Sequence, residues 1–323
     1  MDETAFFYQL IPDCSLATQL WQGGKQSKHR ITVVVCTNSL GTDKIPLWFI
    51  GKHLHTRCLK NINLNHLGCR YLANKNAWMT GELFWEWLKW FRKHVGTDRQ
   101  IVLLLDNFSG YAPGDVTPPN IKIVFLPPNT TSKLQTCDQG IIHTLKAHTR
   151  RAILRSLLDF TEQYPTLESR KYSTSGGDTK VHKFAPDVRK AMSFMVSAWH
   201  TVTSVTIVNC FRKAGIRHDE PGLLAWEDPL AEATDLLDVI TVDMARMRPK
   251  NHSTLATDVM HFISPSEEAI EEKEGDTVTL EQLIKLYHPL PIPEKDDSEV
   301  PRIVWGTEAR NALSLLKLYV QQQ

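Results

Sequence analysis

Three aspartates in this 323-residue chain stand where a carboxylate would meet a ligand as well as solvent. Asp106 follows the apolar run IVLLL (101–105), at the carboxyl end of an expected strand. Open α/β sheets gather their ligands there. A carboxylate so placed costs several kcal/mol unless it is solvated, hydrogen-bonded or bound to a metal. Asp138 stands just ahead of a helix expected from Gly140, facing whatever lies at that helix start. Asp2 opens the segment DETAFFY, immediately before the first strand. Each has an ordinary alternative: Asp138 as a helix N-cap, Asp106 as a turn-former with Asn107, Asp2 as a frayed terminal charge. Spacing alone does not choose between these readings.

The elements that must position these side chains follow from periodicity. Residues 5–11 (AFFYQLI), 31–36 (ITVVVC) and 45–50 (IPLWFI) are aromatic or β-branched runs. Gly23-Gly24 and Asn38-Ser39-Leu40-Gly41 punctuate them, which predicts an antiparallel meander. Residues 79–95 repeat Leu83, Phe84, Trp87, Leu88 and Phe91 at helical spacing behind Thr80, a candidate N-cap. Residues 101–105 read as a strand buried on both faces, and residues 121–126 as another, stopped by Pro127-Pro128. A second helix covers 140–158, with Lys146, Arg150, Arg151 and Arg155 as a basic flank. Residues 162–180 are polar and read as a loop, after which 185–212 resume helical patterning.

Together these make an α/β domain over residues 1–217. Residues 218–323 read as an acidic C-terminal helical and linker region. Helical periodicity continues over 223–247, and short helices are expected at 278–288 and 303–320. The acidic, proline-containing stretches 264–275 and 291–301 are expected to be disordered.

Composition is that of a globular protein, and no apolar run approaches the ~18 residues that a membrane span needs. The net charge of +1 conceals an asymmetry: residues 1–217 hold 28 Lys and Arg against 15 Asp and Glu, residues 218–323 only 9 against 21. A basic body suits a polyanion such as nucleic acid, and an acidic tail would be repelled by one. Two solvated faces of unlike sign are the plain alternative. The six cysteines show no CxxC pair and read as reduced thiols. His53, His55, Cys58, His66 and Cys69 lie close together but lack zinc-finger spacing. The aromatic cluster from Trp78 to Phe91 reads as core, with base stacking as the alternative. There is no Walker A sequence, and neither Ser109 nor Cys137 sits in a nucleophile elbow.

Taken jointly, four stretches go further: DETAFFY (2–8), LLLDN (103–107), VFLPPNTTSKLQTCDQGIIHTLKAHTRR (124–151) and TIVNCFRKAGI (206–216). They resemble the DDE-superfamily endonuclease domain of pogo/Tigger-like transposases, a group that includes domesticated relatives such as centromere protein B and jerky. NKNAWMTGELFWEWL (74–88) is similar to the same family's segment ahead of the second acidic residue. The resemblance implies an RNase H-like mixed sheet flanked by helices. It implies a catalytic, metal-binding triad of Asp2, Asp106 and Asp138 with Mg²⁺ or Mn²⁺. Two such ions about 3.5–4 Å apart activate a water and relieve charge on the leaving oxygen of a phosphodiester. Hard cations take oxygen ligands, which accounts for an all-Asp set.

The implied partner is DNA (double-stranded transposon ends in the ancestor), in the nucleus, with a homo-oligomer compatible. Lys133, Lys146, Arg150, Arg151 and Arg155 are then candidate phosphate contacts, against the alternative of a solvated helix face. The sequence also departs from the family. Only Met1 precedes Asp2, so the first strand is expected to be cut short, without the helix-turn-helix modules that precede the domain in relatives. Ala5 replaces a usual Gly, Tyr111 a usual His, and Thr136 a common Pro. A catalytically silent binding protein on the same fold is therefore the rival reading.

Overall fold

The computed structural model describes residues 1–12, 27–108, 111, 118–166, 168–174, 178–217, 226–246, 256–266 and 268. The stretch 291–301, most of 264–275, and the helices expected at 278–288 and 303–320 lie outside the described residues.

β1 (Asp2–Phe7), β2 (Arg30–Val35) and β3 (Trp48–Gly51) form the expected antiparallel meander, but the first strand lies earlier than 5–11: it starts at Asp2, which is inside it, and ends at Phe7, where a turn begins. All six residues of β1 pair with β2, Asp2 opposite Val35 and Phe7 opposite Arg30. β4 (Arg70–Ala73) adds in parallel to β3 and has no sequence signal: RYLA is too short to show alternation, and none of its side chains is fully buried. α1 (Gly81–Val95) begins at Thr80, whose hydroxyl accepts the Leu83 N–H at 3.4 Å. β5 (Ile101–Leu105) and β6 (Ile121–Phe125) pair in parallel as a separate sheet. β5 is less enclosed than its aliphatic run suggests, since Ile101, Val102 and Leu104 are only half-buried.

A short helix α2 (Thr131–Leu134) and a π-helical turn, Cys137–Ile141, lead into α3 (Ile142–Gln163). Where a loop is expected, β7 (Lys171–Ser173) and β8 (Thr179–Val181) form a hairpin. The helical stretch expected over 185–212 is two helices, α4 (Val188–Thr201) and α5 (Ser204–Lys213), bent by 77°. The break comes at Thr203, whose hydroxyl caps α5 by accepting the Thr206 N–H at 3.2 Å. α6 (Ala231–Arg246) and α7 (Ala256–Ile263) complete the described chain, in a mixed α/β arrangement of helices and small sheets. No single described helix is long and apolar enough to cross a membrane.

Strand alternation sends β2 side chains to two cores. Ile31, Val33 and Val35 pack with Phe6, Phe49, Leu145, Met195 and Trp199 on the α3–α5 side. Val34 joins Trp48, Phe84, Trp87, Leu103 and Ile121 on the α1 side. Phe84, Trp87 and Phe91 of the aromatic cluster are core, Trp87 stacking between the other two with centroids 6.1 and 4.8 Å away, while Trp78, Trp85 and Trp90 are half-buried. A third core joins Phe7, Leu154 and Leu157 to Leu236, Ile240 and Phe262 of α6 and α7. Each such fully buried side chain contributes roughly 1.5–3 kcal/mol over its exposed state.

Glu232 anchors α6. Its carboxylate meets His148 Nε2 at 2.7 Å and accepts the Thr203 N–H at 3.2 Å and the Thr206 hydroxyl at 2.5 Å. Burial pushes this carboxyl up, and those bonds more than offset it, holding it below its ordinary value. Cys36, Cys58, Cys69, Cys137 and Cys210 are free thiols, and Cys14 lies outside the described residues.

Candidate active site

The two sheets meet where β1 starts. The Met1 ammonium donates to the Leu104 carbonyl at 3.0 Å, bringing the head of β1 beside the end of β5. Asp2 is thereby buried in a paired strand, 7% exposed, and is not a frayed terminal charge. Its Oδ1 accepts the Glu3 N–H at 2.8 Å. Asp106 is half-buried and its Oδ1 accepts the Phe108 N–H at 3.1 Å, an Asx-type turn that fixes the carboxylate just past β5. Turn-former and site residue are thus compatible roles for it.

Asp138 sits in the π-helical turn with its side chain exposed. It does not cap α3, which starts at Ile142 behind Ile141 with no side-chain cap. The turn is held from both ends. Gln135, fully buried, donates from Nε2 to the Met1 carbonyl at 3.3 Å, and Gln139 Nε2 donates to the Ser132 carbonyl at 2.9 Å.

Gly140 has φ of 155°, and a Cβ there would lie 2.9 Å from the Pro229 carbonyl oxygen and 3.1 Å from Cys210 Sγ. Only glycine meets both demands. Gly140→Ala is expected to cost roughly 1–3 kcal/mol, read as a lowered denaturation midpoint. A midpoint unchanged from the parent would show that the turn relaxes freely.

Of the three carboxylates, Asp2 feels the charge of both others. Burial, then Asp138, Asp106 and Glu3, push the Asp2 carboxyl well above its ordinary value, and the Met1 ammonium only partly counters them. Asp106 is also raised by burial, against the opposing pull of the Phe108 N–H and the Met1 ammonium. Two further groups belong here. The Tyr111 hydroxyl donates to the Glu3 carboxylate, and Tyr111 is itself buried. Burial and the charges of Glu3, Asp2 and Asp106 push that phenol well up. Glu3 was visible inside the DET motif, and Tyr111 as the residue in a usual His position. Nothing in the sequence says that the two meet.

Carboxylate oxygens are the donors that Mg²⁺ and Mn²⁺ take, and a buried carboxylate crowded by like charge is one that a cation would relieve. Donor chemistry and charge therefore fit. Yet among the described residues no three of His, Cys, Asp and Glu are drawn around one point.

The candidate phosphate contacts divide. Lys133 on α2 is exposed, and Arg151 is half-buried. Arg155 is exposed, with Nε 3.9 Å from Asp243. Lys146 and Arg150, one turn apart on α3, face inward: both are buried and pair with Glu268 at 2.8 and 2.6 Å. In this arrangement they are closed to a phosphate, because a carboxylate from far along the chain already occupies them.

The mixed α/β fold carries Asp2, Asp106 and Asp138 on separate elements, and the chain belongs to a known class: residues 28–211 match the DDE superfamily endonuclease family. The match includes Asp106 and Asp138 and begins after Asp2. Among individual relatives, ARS-binding protein 1 of Schizosaccharomyces pombe is 27% identical over 100% of this chain and 59% of its own length. Tigger transposable element-derived protein 4 of Mus musculus is 30% identical over 67% of this chain and 39% of its own. Major centromere autoantigen B of Cricetulus griseus is 25% identical over 66% of this chain and 32% of its own. The chain thus spans between about a third and three-fifths of these relatives. No solved structure matches it.

Proposed function

We propose that the chain is a transposon-derived, DNA-binding protein of RNase H-like topology, descended from a metal-dependent endonuclease and strand transferase. In this reading Asp2, Asp106 and Asp138 still hold divalent cations. The observation that carries it is that Asp2, buried at the head of β1 beside the end of β5, feels the charges of both Asp106 and Asp138. Family membership and a relative named for ARS binding support the DNA partner. The meander β1–β2–β3 followed by the parallel β5–β6 pair supports the topology. Residues 1–217 carry the proposed site, and residues 218–323 form a C-terminal region whose α6 and α7 pack on α3. A DNA partner supports a nuclear location.

Bound metal would supply an activated water and charge relief at the leaving oxygen. The chain's own contribution is placement: β1 fixes Asp2, the Phe108 N–H fixes Asp106, and the glycine-pinned turn presents Asp138. Three carboxylates repel a phosphate, so a DNA backbone approaches this centre only once a cation or protons neutralise it.

The test is thermal unfolding with and without Mn²⁺, beside Asp106→Ala and Asp138→Ala. Mn²⁺ at about 100 times its Kd is expected to add roughly 2.7 kcal/mol to the wild type. Both variants are expected to lose that rise. Absence of a rise in the wild type would favour the catalytically silent DNA-binding protein, a reading that the spread of the carboxylates supports.

A further inference from the structure

The β7–β8 hairpin is unusual in burying neither face, for all six of its strand residues are exposed. A two-stranded hairpin is marginally stable by itself, so something else must hold this one. A column of rings does. Phe184 contacts Phe160 at 5.9 Å between centroids, Phe160 contacts Tyr164 at 5.1 Å, and His182 stacks on Tyr164 at 5.0 Å. Tyr172 stacks on His182 at 4.3 Å and ends the column, 40% exposed. Arg170, buried at the hairpin base, donates from Nε to the Tyr164 carbonyl at 3.2 Å and lies over the Phe160 ring.

The outermost ring sits in a basic setting. Lys180 is directly opposite Tyr172 across the ladder, so the two side chains share a face. Residues 168–190 hold six Lys and Arg against three Asp and Glu. Glu168 is occupied by Lys171 at 2.6 Å, and Asp187 caps α4 through the Lys190 N–H at 2.8 Å. Lys180 and Lys183 are exposed.

From this geometry we propose that the hairpin is a docking site for unpaired DNA, in which a base stacks on Tyr172 and extends the ring column while Lys180 and Lys183 meet the flanking phosphates. An aromatic face beside ammonium groups is the combination that single strands use, and it is indifferent to base identity. A duplex keeps its base faces stacked internally and offers the tyrosine nothing but its ends. The inference rests on the DNA-binding reading and deepens it, because it gives that partner a second place on the chain, on an element that carries none of the three aspartates.

The experiment titrates the full chain into a labelled oligothymidine and, separately, into a blunt duplex of equal length. Tyr172→Ala is expected to weaken oligothymidine binding roughly tenfold and to leave duplex binding unchanged. Tyr172→Phe, which keeps the ring, is expected to bind like the wild type. Lys180→Gln is expected to weaken binding to both DNAs and to flatten the salt dependence. Because Tyr172 is exposed, an unchanged unfolding midpoint in each variant shows that the fold is kept. Wild-type oligothymidine affinity in Tyr172→Ala, or an equal loss on both DNAs, would overturn the hairpin site while leaving the general reading intact. A wild type that binds neither DNA would remove both.

Discussion

Glu268→Ala is expected to lower unfolding stability by about 3–5 kcal/mol, the range for removing one member of a buried ion group. Glu268 accepts the Phe7 N–H at 2.7 Å, Lys146 Nζ at 2.8 Å and Arg150 at 2.6 Å, and it is itself fully buried. Removing it leaves two cations in a site that also contains the Phe6 ring, 4.0 Å below the Arg150 guanidinium, and Phe262 of α7. Arg150 keeps one bond, from Nη1 to the Phe7 carbonyl at 2.8 Å, which does not neutralise it. The cost is that of stranded charge. Replacing Lys146, Arg150 and Glu268 together by methionine is therefore expected to cost far less than Glu268→Ala alone. Denaturant midpoints of the parent, the single variant and the triple variant decide the matter. A loss under about 0.5 kcal/mol in Glu268→Ala would mean that the segment from α7 to Glu268 is not docked on α3.

The same contact changes how the acidic region should be probed. Deleting residues 264–323 removes negative charge that competes with phosphates, and on charge alone DNA affinity should rise. The deletion also removes Glu268, so it exposes or destabilises the α3 face carrying Lys146 and Arg150. A truncation after Glu268 separates the two effects, since it keeps the ion group and discards only the charge beyond it.

How far the sequence was readable depends on how local each cause is. The meander's strand order, α1 with its Thr80 cap, and the positions of the β5 and β6 runs are set by alternation, helical spacing and capping within a few residues, and they stand as expected. β1 differs in starting three residues earlier than its apolar run and taking in Asp2. The α4–α5 break was also local, at Thr203, but apolar periodicity continues across it and conceals the bend. β4 is four residues long and mostly half-buried, and the strands of the β7–β8 hairpin are shorter still and exposed, so no burial alternation is written into them.

The site divides in the same way. Asp106 and Asp138 lie in long motif runs, and their places at a strand end and a turn follow from those runs. The inward orientation of Lys146 and Arg150 could not be read, because a basic stripe at four-residue spacing looks the same whether water or a distant carboxylate meets it. Their partner lies more than a hundred residues further along.

Asp2→Asn is expected to stabilise the metal-free protein, and the gain should depend on pH in a determined direction. Burial and the neighbouring carboxylates raise the folded-state value of Asp2 well above 3.8, its ordinary value. Between those two values the native state binds more protons than the unfolded chain, so native stability falls as pH rises through that window. Below it the group is protonated in both states and the penalty vanishes. Above it the penalty is complete, each unit of upward displacement costing about 1.4 kcal/mol. Asparagine carries no charge to repel, so the variant and the wild type should converge in acid and separate towards neutral pH, with the variant more stable. Mn²⁺ should reverse the order, because it offsets the repulsion only where the carboxylate remains. Urea midpoints across the pH series, with and without Mn²⁺, measure this directly. A variant less stable than the wild type at neutral pH without metal would mean that the Glu3 N–H bond to Asp2 outweighs the repulsion. The first-strand carboxylate would then be a structural anchor and not a metal ligand.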